Sequence, residues 1–262
     1  MLDGDVWLYH LRRGTMTRLT FTADNGYPMW SPDGESVLFS STRDGTESIY
    51  QQDADGAGGA ELLTAGEFPR HPDAVSQDGT ALAFHEHHGV SGWDMWTLPL
   101  DDGDPSPFHV TEFDEGNATF SPDGRWLAYQ SGESGRPEIY ATPFPDLGEK
   151  ILISTNGGGG PIWSRDGREI FYREVYRTMS VAVALEAAQL VPSAPQFLFE
   201  ADTQAPEALG MSNSCVARTI VTWRRKTTAK RRWTSTAVRP TSCVNRRSFS
   251  LFPDGVPMPN SA

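Results

Sequence analysis

Three short stretches hold side chains of the kinds that metals, phosphates or acyl groups require. In His85-Glu86-His87-His88 the first and third imidazoles share a face if the segment is a strand, because strand side chains alternate, and paired imidazoles suit a divalent metal. The competing reading is a polar hairpin tip between two strands; it is preferred, and no metal is assigned. Asp53-Ala54-Asp55-Gly56 opens like a calcium loop, but its glycine comes early and the acidic twelfth position is missing. Gly157 to Gly160 reads as a flexible approach to a strand rather than a phosphate cradle. There is no Gly-x-Ser-x-Gly elbow, the nearest string being Gly89-Val90-Ser91-Gly92. P-loop and dinucleotide fingerprints and the kinase motif set are absent as well. No catalytic residue and no cofactor are assigned, and no turnover is expected of this chain.

Four aspartates recur too regularly to be chemistry. Ser31-Pro32-Asp33-Gly34, Ser76-Gln77-Asp78-Gly79, Ser121-Pro122-Asp123-Gly124 and Ser164-Arg165-Asp166-Gly167 are spaced by 45, 45 and 43 residues. Ser, Pro and Asp suit successive positions of a type I turn. The glycines Gly34, Gly79, Gly124 and Gly167 can close a hairpin in the left-handed conformation. Asp33, Asp78, Asp123 and Asp166 are therefore read as structural, bonding nearby backbone amides.

Two further ladders keep this phase. One is an aromatic third-strand residue, at Trp7, Tyr50, Trp96 and Tyr140; the other is a hydrophobic-then-hydroxyl ending, at Leu19-Thr20, Leu63-Thr64, Val110-Thr111 and Ile153-Ser154. Within residues 27–64 the pattern resolves into four short strands, with Val37 and Phe39 on one face of the second and Leu38 on the other. A four-stranded unit of about 44 residues is a propeller blade. The fold class is all-β, a β-propeller of four-stranded antiparallel blades. Residues 3–20 supply a partial blade, and 27–64, 70–111, 117–154 and 160–200 supply four more, the last irregular. About four and a half blades are expected, in an incomplete ring, with no final strand pair after Phe197-Leu198-Phe199-Glu200.

Met29-Trp30-Ser31-Pro32-Asp33-Gly34, Phe120 to Tyr129 and Ile162 to Tyr172 resemble the repeat of TolB-like propellers, most closely the version attached to bacterial serine/threonine protein kinases. The propeller of prolyl-oligopeptidase-type serine peptidases is similar, though less so. The resemblance covers residues 3–200. It implies a non-catalytic scaffold that binds a protein or peptide partner, either TolB-like or as the sensor region of a kinase-like protein. The alternative it implies is a substrate-gating propeller fragment of such a peptidase. Resembling proteins are often periplasmic or extracytoplasmic; no secretory signal follows Met1, and no compartment is assigned.

Charge narrows the partner. Residues 1–210 hold 12 Lys+Arg against 33 Asp+Glu, a net of −21, whereas residues 211–262 hold 10 against the single Asp254. The acidic propeller favours a basic protein or peptide and disfavours nucleic acid. In a propeller the segments leading into each first strand face the channel mouth, so Tyr27, Arg70, His71 and Asn117 are the candidate ligand-binding residues. No run approaches the roughly 18 apolar residues of a membrane helix. Beyond Gly210 the acids vanish and the ladders stop. That stretch is read as a basic, poorly ordered tail, a shifted reading frame; a nucleic-acid arm using Trp223 and Trp233 is the rival. Both cysteines, Cys215 and Cys243, lie in it, so no disulfide staples the propeller.

Overall fold

A computed structural model describes residues 4–200, save 12, 187 and 188, together with the strand backbones of 218–225 and 233–237. No helix forms. The hairpin unit explains why. Gly124 N–H closes on the carbonyl of Ser121 at 2.9 Å with Gly124 at φ 70°. The Ser121 hydroxyl donates to Asp123 Oδ1 at 2.6 Å and accepts the N–H of Trp126 at 3.0 Å. Asp123 also accepts the N–H of Arg125 at 3.2 Å. Asp33, Asp78 and Asp166 occupy the same geometry, with Gly34, Gly79 and Gly167 at φ 72°, 76° and 71°. The hydroxyl ladder ties each unit at its other end: Thr20 Oγ1 accepts the N–H of Val6, and Ser154 Oγ that of Ile139, each at 2.8 Å.

The strands assemble as successive antiparallel sheets. β1 (Gly4–His10) pairs with β2 (Thr15–Arg18). Then follow β3 (Asn25–Trp30), β4 (Ser36–Ser41), β5 (Ser48–Asp53) and β6 (Glu61–Thr64), a sheet in chain order. β7 (Arg70–Val75), β8 (Ala81–His88), β9 (Gly92–Pro99) and β10 (Ser106–His109) make the next. β11 (Glu115–Phe120), β12 (Trp126–Ser131), β13 (Glu138–Pro143) and β14 (Ile151–Leu152) make another. In the last, β15 (Gly159–Trp163) and β16 (Glu169–Glu174) lead to the long β17 (Arg177–Glu186), which pairs with both β18 (Gln189–Pro192) and β19 (Gln196–Glu200).

Alternation on each second strand distributes the core between neighbouring sheets. Val37 and Phe39 pack back on Val6, Leu8 and Leu19; Leu38 packs forward on Leu82 and Phe84. Ala81 and Ala83 then face Leu127 and Tyr129, while Trp126 and Ala128 face Ile170 and Tyr172. Four apolar seams thus join five sheets. Among the described residues no comparable seam joins the last sheet to the first, so the propeller is incomplete.

The first sheet departs from the expectation of a missing strand pair. β20 (Arg218–Arg225) runs antiparallel along the free side of β1, and β21 (Trp233–Ala237) pairs with β20. The open edge of β1 offers unpaired backbone groups to any extended segment, and Thr219-Ile220-Val221-Thr222 has the β-branched composition that favours strands. The order differs from the other sheets: the earlier strand lies beside β1 and the later one ends the sheet.

Candidate functional site

The inner strands β3, β7, β11 and β15 surround a cavity of about 850 Å³. Each carries an irregularity where it enters the sheet. Tyr27 and Asn117, four residues before their hairpin serines, have φ 51° and 52°, and Gly160 at the same repeat position has φ 60°. The fourth repeat has Pro72 there. A bulky side chain in the left-handed region is strained, and such strain gathers at sites where structure over-determines the backbone.

Five residues before the serine, three repeats have glycine (Gly26, Gly116, Gly159) and the fourth has His71. The His71 ring fills the space, stacking on Tyr27 at 3.8 Å and lying 4.6 Å from Trp93. Its Nε2 is 2.7 Å from Glu47 Oε2. Burial lowers its pKa to about 4 against the opposing pull of that carboxylate, so at neutral pH the uncharged ring donates Nε2–H. His85 meets His71 edge-on, and its Nδ1 lies 2.9 Å from Asp73 Oδ1. Gly116 packs closely beside it: a Cβ there would come within 3.2 Å of the His85 ring, which would have to give by a few tenths of an ångström. Burial raises the Glu115 carboxyl to about 7; hydrogen bonds from Thr111 and Ser131 oppose the rise, and the charges of Asp94 and Glu133 add to it.

Of the residues expected at the channel mouth, Tyr27, His71 and Asn117 line this cavity. Arg70 does not. It stands across the ladder from Glu86, and its buried guanidinium pairs with that carboxylate, with Thr64 Oγ1 and with the carbonyl of Ala65. The first-strand position is right, but the side chain points into the seam between two sheets. His85 and His87 do share a face, as the strand period requires. That face is spent on one indole, each ring meeting Trp93 edge-on at 4.7 Å. His88 hydrogen-bonds Glu86 at 2.7 Å. Gly157 to Gly160 form part of the cavity wall, and Gly158 is fixed by packing: a Cβ there would approach Ile139 and Tyr172 to 2.9 Å.

Sequence reasoning missed Asp73, Trp93, Asp114 and Glu115. Glu115 lies two residues before Asn117, at the start of the same strand β11. Trp93 was hidden because β8 and β9 extend to His88 and from Gly92, longer than the β4–β5 and β12–β13 pairs, and carry it over the cavity.

No family model matches the chain. Tricorn protease homolog 1 of Streptomyces coelicolor is 31% identical over 182 residues, 63% of this chain. The chain spans only 17% of that relative's length. TolB from Acinetobacter baumannii superposes with a TM-score of 0.56 over 90% of this chain and 61% of that one, at 16% identity. A prolyl endopeptidase superposes at 0.51 over 90% of this chain and 37% of its own, at 12% identity. At such identities the likeness establishes the fold alone: the chain has a β-propeller architecture like that of TolB.

Proposed function

We propose that this chain is a non-catalytic propeller module that binds a protein or peptide segment across its channel mouth, either TolB-like or as the sensor or interaction region of a larger, kinase-like protein. The observation that carries the reading is the cavity: a broad opening with an aromatic shelf of Tyr27, His71 and Trp93 beside a run of carboxylates. Rigid aromatics next to a few fixed polar groups are the usual make-up of a recognition site. Peptide selection from a displayed random library on the purified chain, followed by calorimetry, tests it. Trp93→Ala is expected to weaken a selected peptide by about tenfold or more. A library that yields no binder, or binders indifferent to Trp93→Ala, counts against the reading.

A second reading is favoured by the Tricorn protease homolog and the prolyl endopeptidase: the propeller gates substrate for a serine peptidase domain carried elsewhere. An adjoining coding region with a Gly-x-Ser-x-Gly elbow supports it, and one with kinase motifs supports the first. For residues 211–262 we propose a shifted reading frame, on the charge reversal after Gly210. Resequencing is expected to find a one-base change that restores an acidic Ser-Pro-Asp-Gly unit; an intact frame encoding the same basic stretch in related genes rejects it.

A further inference from the structure

Two carboxylates in the cavity wall keep an oxygen that no protein donor reaches. Asp73 uses Oδ1 on His85, and its Oδ2 is buried without a partner, the side chain being 4% exposed. Glu115, 1% exposed, uses Oε1 on Thr111 Oγ1 at 2.6 Å and Ser131 Oγ at 3.2 Å, and its Oε2 is likewise buried and unpaired. Asp114 beside them accepts the N–H of Trp93 at 2.9 Å. Among the described residues no lysine or arginine pairs with these three acids. Two arginines also line the cavity: Arg136 is engaged with Glu138 and the carbonyl of Thr155, and Arg173 has a partner of its own. A carboxylate held out of water without a counter-charge is costly, and a ligand that brings positive charge removes that cost. Tyr27, His71 and Trp93 line the same cavity, and aromatic faces attract cations within about 6 Å. His71, neutral through burial, offers its ring without repulsion. No described group of three or more His, Cys, Asp or Glu side chains is arranged to hold a metal ion, which favours an organic cation.

The geometry points to a cation-recognition site: the guanidinium or ammonium head of a basic residue in a bound peptide seats against the Tyr27, His71 and Trp93 rings, facing the Asp73 and Glu115 carboxylates. This rests on the reading that a peptide occupies the channel mouth. Calorimetric titration of the full chain with N-acetyl-arginine amide, N-acetyl-lysine amide and uncharged N-acetyl-citrulline amide tests it. A cationic amide is expected to bind at least about tenfold more tightly than citrulline amide. Asp73→Asn and Glu115→Gln are each expected to remove that preference while the near-UV dichroism stays that of the parent; two variants guard against one misfolding. Equal affinity for the arginine and citrulline amides overturns the inference, as does a preference that both variants retain. So does saturable calcium uptake that displaces the amides. The selected peptides separate the two ideas. Binders that need Trp93 but carry no basic residue overturn the cation site and leave the peptide reading standing. Amides that bind with the expected preference, alongside a library that yields no binder, support the site and reject the peptide reading.

Discussion

His71 and Glu115 were buried with opposite consequences for pH. His71, lowered from 6.5 to about 4, is neutral in the fold, so its contribution is present above pH 6.5 and is lost as pH falls toward 4. Glu115, raised from 4.5 to about 7, holds its proton in the fold; its contribution is full below pH 4.5 and is lost as pH rises through 7. The carboxylates of Asp94 and Glu133 face it and strengthen the effect. Glu115→Gln cannot titrate. Denaturant melts across pH 4.5 to 7 should therefore show the parent losing stability relative to Glu115→Gln as pH rises. A parent that gains relative to the variant over that range would refute the burial argument.

At the scale of the hairpin, the aspartates hold the turn by accepting hydroxyl and backbone donors; the Ser31, Ser76 and Ser164 hydroxyls first, and the backbone amides second, depress the Asp33, Asp78 and Asp166 carboxyls below their ordinary value. Asp123→Ala removes the acceptor for Ser121 Oγ and Arg125 N–H, and is expected to cost about 1 kcal/mol, read from the denaturant midpoint. An unchanged midpoint would mean that the serine bonds alone hold the turn. These turns were legible because every determinant lies within five residues. Strand positions were legible too: residues 27–64 fold as the period of two predicts, with Val37, Phe39 and Leu38 divided as expected. The destination of Arg70 was not, because its partner Glu86 is 16 residues away and meets it only through the β7–β8 register. Of the cavity wall, Tyr27, His71 and Asn117 were legible from the repeat phase, whereas Trp93 and Glu115 were not, because they join Tyr27 and His71 only through the packing of four strands from three sheets.

For the whole molecule the governing fact is that the sheets form a row with two ends. β19 at one end exposes Phe197, Leu198 and Phe199, and β1 at the other takes its neighbour from a distant part of the chain. Each interior sheet is held by two apolar seams and each terminal one by a single seam. In such an array local opening proceeds from the ends, and the free energy needed to expose an amide accumulates with every seam that must part first. Amide hydrogen exchange should therefore be slowest in β8, intermediate in β4 and β12, and fastest in β1 and β17, a gradient along the row. Uniform protection would mean that the two ends are coupled in solution. The ligand cavity spans the inner strands of four consecutive sheets and stops short of β1, which makes the row itself a clock: a bound partner should be read as slower fraying at β1, the end it does not touch.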